Sequence, residues 1–263
     1  MTPGSNPGAP TIFEIMRKKY LLIVVALIII IGIYMNLSYS HIYKKIDDAS
    51  LKSPDQNQTY VLGYGIGAES ITYVAMGDSL TAGVGVDNYE KSFPFLIAKN
   101  FAATGNDVVL KDRAFPGLKT ADLKGDLLEQ TIKDQPNIVT LLIGVNDIHG
   151  NISKSEFKSN YEEILSRLTK ETKAKIFVVN LPFIGGINLL RFPYNFYFDY
   201  QTKQFNEVIK NLAENYNVKY VDLYSKTVDE FKKEGDHYAS DSFHPSAKGY
   251  EEWAKIIYAS INQ

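Results

Sequence analysis

The chain has 263 residues, of which 45% are hydrophobic and 22% are charged, and this length and composition allow one sizeable buried core. The formal net charge of −2 gives no reason to expect nucleic acid as a partner. The chain has no cysteine, which excludes disulfides and thiolate metal sites.

The N-terminal part of the chain predicts a signal anchor, that is, a transmembrane helix that also sets the orientation. Residues 1–19 begin with a stretch rich in Pro, Gly and Ser and end in three basic residues, and we expect them to form a disordered cytoplasmic N-terminus. Residues 20–37 are almost entirely apolar, and at about 1.5 Å per residue they span roughly 27 Å, close to the hydrocarbon thickness of a bilayer. The basic cluster predicts that everything after Leu37 lies outside the cytoplasm.

Two alternatives to a membrane-spanning helix stay open. A buried core helix would normally have a polar face, which Leu21 to Ile33 lacks. A cleaved signal peptide would give a secreted protein, but the apolar run is long for one and an Ala-x-Ala cleavage site is missing. Residues 38–70 are polar and of mixed charge, so we interpret them as an extracytoplasmic linker.

From residue 71 to residue 263, short apolar runs alternate with amphipathic segments of helical length. The predicted strands are 71–76, 108–110, 138–143, 176–181 and 218–223, and the predicted helices include 93–103, 120–132 and a closing helix that contains Trp253. This alternation is typical of β-α-β units, so we expect one α/β domain with a mainly parallel sheet and helices on both faces. Functional groups in such a sheet gather beyond the carboxyl ends of the strands.

Polar and glycine residues occupy several of these strand ends. Ser79 follows the first strand, Gly117 the second and Asn146 the third, while Asp241 and His244 precede the closing helix. Each alone has an ordinary explanation as a helix cap, a turn or a surface loop. Together they predict a serine nucleophile, because a three-residue spacing lets a tight turn hold a carboxylate against the imidazole that accepts the serine proton.

The same segments offer donors for a developing oxyanion. The expected donors are the backbone N–H groups of Ser79 and Gly117 and the side-chain amide of Asn146. Asp78 and Val145 adjoin these groups in the sequence and are candidate substrate-binding residues.

These segments resemble the sequence blocks of the GDSL, or SGNH, hydrolases. The resemblance covers about residue 71 to the C-terminus and is carried by Gly77-Asp78-Ser79-Leu80, Gly117, Gly144-Val145-Asn146-Asp147 and Asp241-x-x-His244-Pro245. It implies a flavodoxin-like three-layer α/β/α domain that hydrolyses esters through an acyl-enzyme and needs no cofactor. It also implies that Ser79 is the nucleophile, His244 the base and Asp241 the residue that orients it, with Gly117 and Asn146 as oxyanion donors.

Two positions depart from the common family pattern. Val145 stands where many members have glycine or a small polar residue, and Asp112 stands where asparagine is common. Neither departure removes a catalytic group, so we expect both to affect substrate fit more than activity.

Three further polar residues, Asp236, His237 and His149, are candidates for a metal site or for the wall of the cleft. Asp236 and His237 could form a metal cluster with Asp241 and His244, but the triad already uses two of the four, and no metal site is expected. His149 could line the cleft, although a surface position is the stronger expectation.

The aromatic segment 183–200 interrupts the alternation of strands and helices. Either its rings pack on the domain as an ordinary loop, or Tyr194, Phe196 and Phe198 form a lid or wall beside the cleft and contact the substrate.

The sequence thus predicts a membrane-anchored extracytoplasmic serine esterase. Its expected substrate is an ester of the cell envelope, either an O-acetyl group on a wall glycan or the acyl chain of a lysophospholipid. An inactive SGNH-fold module that binds glycans and an acyltransferase that uses the same triad remain alternatives. The sequence does not indicate the oligomeric state.

Overall fold

The structure, a computed structural model, describes residues 11–63, 65, 69–186, 188–233 and 235–262. Its strands are β1 (Thr59–Leu62), β2 (Ser70–Gly77), β3 (Asp107–Ala114), β4 (Ile138–Leu142), β5 (Lys175–Val179) and β6 (Lys219–Val221). They form one sheet in the order β1-β3-β2-β4-β5-β6, in which β2 to β6 are parallel and β1 pairs antiparallel with β3 at the edge.

The helices are α1 (Ile12–Ala49), α2 (Phe93–Ala103), α3 (Thr120–Leu123), α4 (Asp126–Lys133), α5 (Val145–His149), α6 (Lys154–Glu171), α7 (Tyr194–Asn215), α8 (Leu223–Phe231) and α9 (Ala247–Ile261). All of them except α1, most of which is exposed, pack around the sheet. One group is formed by α2 and α8 against α9, and another by α3, α4 and α7 against α6. The predicted α/β architecture with a mainly parallel sheet is therefore confirmed.

The central strands are almost completely buried, and this burial is the reason that the sequence predicts them well. Every residue of β4 is buried, and so are the last four residues of β5. A parallel strand covered by helices on both faces needs apolar side chains on both faces, so it reads as a continuous apolar run. The predicted helix 120–132 differs, because Gly125 separates α3 from α4.

The N-terminal helix is longer than predicted at both ends. It begins at Ile12, where Thr11 and Glu14 form a capping box, so residues 12–19 are helical and their predicted disorder is wrong. The predicted disorder of residues 1–10 lies outside the described residues. The helix continues to Ala49, well into the predicted linker. Ile42 is only 1% exposed, so this part of the helix packs on the domain.

The rest of the predicted linker is also partly regular structure. Residues 59–62 form the edge strand β1, in register from Thr59 opposite Lys111 to Leu62 opposite Val108. Exposed and half-buried residues alternate along this strand, as expected for one with a single covered face. The segment predicted as a linker, residues 38–70, therefore contains the end of a helix at 38–49 and a strand at 59–62.

Helix α1 is the one helix in the described part of the chain that is long and apolar enough to cross a membrane, with a mean hydropathy of 2.7. From Ile12 to Leu37 its side chains are exposed on every face, whereas Ser38 and Ile42 are buried against the domain. The apolar stretch is therefore not a buried core helix.

Candidate active site

The carboxyl ends of three neighbouring strands build the site. The last residue of β2, Gly77, is in register with the last residues of both β3 and β4. The segments that follow these strands therefore emerge side by side, and they carry Ser79, Gly117 and Asn146 respectively. This juxtaposition was expected, because the carboxyl ends of neighbouring parallel strands lie at the same edge of a sheet.

The turn that presents Ser79 is tight and depends on a glycine. A Cβ on Gly77 would collide with the side chain of Thr81 and with the carbonyl oxygen of Leu142. Within this turn, the buried carboxylate of Asp78 accepts the backbone N–H of Leu80 at 3.0 Å. Close packing against β4 thus fixes the position of the hydroxyl.

A continuous line of hydrogen-bond contacts joins a serine, a histidine and an aspartate. His244 Nε2 lies 2.9 Å from Ser79 Oγ, and His244 Nδ1 lies 2.5 Å from Asp241 Oδ2. The other carboxylate oxygen of Asp241 accepts the backbone N–H groups of Phe243 at 2.9 Å and His244 at 3.0 Å. All three side chains of the line are buried.

The charge state of Asp241 follows from these contacts. Burial raises the pKa of this carboxyl, but the hydrogen bond to His244, the imidazole charge and the two backbone N–H groups outweigh burial, so the pKa lies below its ordinary value. An ionised Asp241 holds the proton of the imidazole on Nδ1 and leaves Nε2 free to accept the proton of Ser79.

The predicted oxyanion donors lie around the same hydroxyl. Gly117 has a φ of +83°, in the left-handed region that favours glycine. Asn146 donates one amide N–H to the Leu118 carbonyl at 3.0 Å, which fixes the side chain and leaves its second N–H for another acceptor. The neighbouring Asp147 carboxylate accepts the backbone N–H of Thr120 at 3.0 Å and its hydroxyl at 2.5 Å, and so ties α5 to α3.

A cavity of about 320 Å³ opens onto these groups. Its lining contains both polar and apolar side chains. The lining residues are Tyr43, Ile46, Leu51, Ser53, Ser79, Val84, Pro116, Gly117, Asn146, His149, Phe243 and His244. The cavity therefore brings Ser79, His244, Gly117 and Asn146 together with space for an apolar group.

A model of the GDSL-like lipase/acylhydrolase family matches residues 75–252, more than half of the chain. The chain belongs to this family. It is a serine hydrolase of ester bonds, and the resemblance drawn from the sequence is confirmed.

The alignments with three similar proteins cover nearly the whole length of each of them and about three quarters of this GDSL-like chain. The spore germination lipase LipC of Bacillus licheniformis is 27% identical over 217 residues, which cover 73% of this chain and 96% of the relative. The acetylxylan esterase Axe2 of Geobacillus stearothermophilus is 18% identical with a TM-score of 0.61, covering 76% of this chain and 97% of that one. A lipase/acylhydrolase of Enterococcus faecalis is 22% identical with a TM-score of 0.59, covering 73% and 95%. At these identities the two solved structures support the fold alone.

Five predicted substrate-binding residues of this GDSL-like chain are not among the described residues that line the cavity. Asp78 and Val145 are buried in the domain. Tyr194 packs on Tyr39 of α1 and Phe198 on His149. Phe196 is 67% exposed and lines a separate hollow. Part of the aromatic segment is helical, since α7 begins at Tyr194.

The histidine on α5 lies at the cavity, so its predicted surface position is wrong. The ring of His149 stacks on Phe198 with centroids 4.8 Å apart and meets Phe243 edge-on at 5.5 Å. Burial lowers the pKa of His149 to about 4, so the ring is neutral at physiological pH. The sequence carried no signal for this burial, because the rings that cover His149 come from distant segments.

Four lining residues were missed because they precede the domain boundary predicted at residue 71. Tyr43 and Ile46 belong to the end of α1, and Leu51 and Ser53 follow that helix. The available signal was the helical spacing of the apolar residues Ile42 and Ile46 within an otherwise polar stretch.

Asp112, the departure from the common GDSL pattern, is buried in β3 and is not among the described lining residues. Burial raises its pKa from 3.8 to about 7. Between these two pH values the folded state holds a proton that the unfolded state has released. This group therefore makes the protein less stable as the pH rises through that window, and the loss persists above it.

We expect Asp112→Asn to raise the free energy of unfolding by about 1–3 kcal/mol at about pH 8, with a smaller gain at about pH 5. Denaturant unfolding at both pH values measures this. Asp236→Asn is the control, because Asp236 is exposed and pairs with Lys248, and it should show no gain at high pH. An equal gain from Asp112→Asn at both pH values would contradict the assigned cause.

Proposed function

We propose that this chain is a membrane-anchored, extracytoplasmic serine esterase that cleaves carboxylic esters through an acyl-enzyme. The observation that carries the proposal is the line of contacts from Asp241 through His244 to Ser79, at the mouth of a cavity that also holds Gly117 and Asn146. Ser79 is the proposed nucleophile, His244 the base and Asp241 the residue that orients it.

In the first step of the proposed reaction, Ser79 Oγ attacks the ester carbonyl carbon while His244 Nε2 accepts its proton. The carbonyl oxygen becomes an oxyanion, which the N–H groups of Ser79 and Gly117 and the Asn146 amide stabilise. Asp241 stabilises the imidazolium that forms. His244 then gives the proton to the alkoxy oxygen, the carbon–oxygen bond breaks and the alcohol leaves, with the acyl group on Ser79.

A water molecule completes the cycle. His244 Nε2 takes a proton from the water as its oxygen attacks the acyl carbon, and the same donors hold the second oxyanion. Collapse of this intermediate returns the proton to Ser79 Oγ and releases the carboxylic acid. An acyltransferase would differ only in using an acceptor alcohol in place of the water.

The membrane assignment rests on helix α1. We place residues 1–19 in the cytoplasm, residues 20–37 in the bilayer and the SGNH hydrolase domain, predicted from residue 71 to 263, outside. Exposure of apolar side chains on all faces of the helix supports this, because so large an apolar surface is unfavourable in water. Arg17, Lys18 and Lys19 favour the orientation.

The proposed substrate is an ester of the cell envelope, an O-acetyl group on a glycan or the acyl ester of a lysophospholipid. The relative LipC is named a spore germination lipase, and the apolar cavity lining agrees with an acyl chain.

Cells that express the full chain provide one test of both activity and location. With an ester that cannot cross membranes, intact cells should give nearly the full rate seen after permeabilisation, and the activity should sediment with the membranes. Activity that appears only after permeabilisation would contradict the location, and activity in the medium would favour a cleaved signal peptide. No hydrolysis in any fraction would contradict the esterase assignment.

A further inference from the structure

The end of α1 is docked on the catalytic domain and does not hang from it as a flexible tether. His41 Nε2 lies 3.2 Å from the Asn188 carbonyl oxygen, and the Tyr194 hydroxyl donates to the Met35 carbonyl at 3.4 Å. Ser38 and Ile42 are buried at the same contact. The helix that carries the apolar stretch therefore has a defined position relative to Ser79.

Two residues of this docked segment line the catalytic cavity. Tyr43 and Ile46 are three residues apart, so they lie on one face of the helix, and both contribute to the cavity that contains Ser79 and His244. The chain just after the helix adds Leu51 on the same side. Without this segment, the cavity would lack one of its apolar walls.

A second, more polar hollow lies next to the catalytic cavity. It has a volume of about 900 Å³, and Leu51 and Ser53 line both spaces. Its lining includes the charged or amide side chains of Lys52, Asp55, Asp87 and Asn88. An ester with an apolar acyl chain and a polar alcohol part would match the two spaces, with the chain against α1.

We infer that Tyr43 and Ile46 are specificity-determining residues that receive the acyl chain of the substrate, so that the anchor helix is itself part of the active site. This rests on the proposed function, because it takes Ser79 as the nucleophile. Tyr43 lies six residues beyond Leu37 and Ile46 nine, which puts them about 9 and 14 Å past the end of the apolar stretch. The substrate class is a single-chain amphiphilic ester held at the membrane surface.

The absence of cysteine in the chain permits a direct test in the full-length protein. Ile46→Cys is modified with an octyl methanethiosulfonate, which places an alkyl group where we expect the acyl chain. Lys44→Cys, modified in the same way, is the matched control, because Lys44 is exposed on the same helix and is not among the lining residues described.

For modified Ile46→Cys we expect kcat/KM for p-nitrophenyl octanoate to fall by at least about tenfold more than kcat/KM for p-nitrophenyl acetate. The modified Lys44→Cys protein should keep both values. Tyr43→Ala, at an exposed position, should lower the octanoate-to-acetate ratio in the unmodified protein, and Tyr43→Phe should retain it. The relative kcat/KM values among acetate esters of progressively longer alcohols should keep the same order and spacing in all these variants.

An unchanged octanoate-to-acetate ratio in modified Ile46→Cys and in Tyr43→Ala would overturn the inference while leaving the proposed function intact, provided that the wild type is active and depends on Ser79. A change confined to the series of longer alcohols would overturn the acyl assignment. A wild type that hydrolyses neither ester would refute the proposed function instead. Thermal unfolding midpoints equal to that of the wild type establish that each variant is folded.

Discussion

The Ser79→Ala variant is expected to lose at least about 10⁴-fold in kcat for p-nitrophenyl acetate and to keep the fold. Without Oγ no acyl-enzyme forms, and only the oxyanion donors and the binding cavity remain to accelerate attack by water. Truncation of this small side chain removes its hydrogen bond to His244. The close contact of Gly77 with β4 involves other atoms and stays unchanged.

Steady-state kinetics of the purified full chain measure this loss. Ser166→Ala, on helix α6, is the control, and it should retain wild-type kcat because Ser166 is not among the described residues that line the cavity. A Ser79→Ala protein with kcat within tenfold of the wild type would remove Ser79 from the reaction.

Replacing Asp241 by asparagine should lower kcat by about 10⁴-fold, although the change is nearly isosteric. The asparagine carbonyl oxygen can still accept the backbone N–H groups of Phe243 and His244, so the turn is preserved. Its amide nitrogen, however, would donate to His244 Nδ1, which forces the imidazole proton onto Nε2. A protonated Nε2 cannot accept the proton of Ser79.

The kinetics of Asp241→Asn distinguish a role of Asp241 in orienting His244 from a role in holding the fold. We expect the Asp241→Asn protein to stay folded at neutral pH with a KM close to that of the wild type and a strongly reduced kcat. Its unfolding midpoint should fall slightly, because the lowered pKa of Asp241 means that the ionised carboxylate stabilises the folded state at this pH. Asp229→Asn, on the exposed face of α8, serves as the control for loss of a carboxylate charge. If Asp241→Asn kept a kcat within tenfold of the wild type, the proposed triad would be wrong in its third member.

The sequence was sufficient to predict the five parallel strands β2 to β6 and the residues that follow them. Strands buried on both faces, such as β4, are visible as apolar runs, and the parallel arrangement makes the positions after them converge. Asp241 and His244 are three residues apart, so a single turn of the chain is enough to bring them into contact. Periodicity and spacing report such features because each is decided within one element.

The remaining features depend on contacts between distant segments. The polar composition around Ile42 and Ile46 indicated a linker, and only the domain surface shows why the helix continues there. The burial of His149 depends on Phe198 and Phe243, which come from other parts of the chain. Strand β1 has only four residues and pairs with the distant strand β3, so the local sequence gives little indication that a strand forms there.

Covalent trapping of the nucleophile tests the acyl-enzyme most directly. Diethyl p-nitrophenyl phosphate transfers a diethylphosphoryl group to an activated serine and releases p-nitrophenol. After incubation with the full chain, mass spectrometry should detect one added group per molecule, located by peptide mapping on Ser79 and absent from Ser79→Ala. A protein that stays unmodified, or that carries the group on another residue with the same loss of activity, would contradict the account.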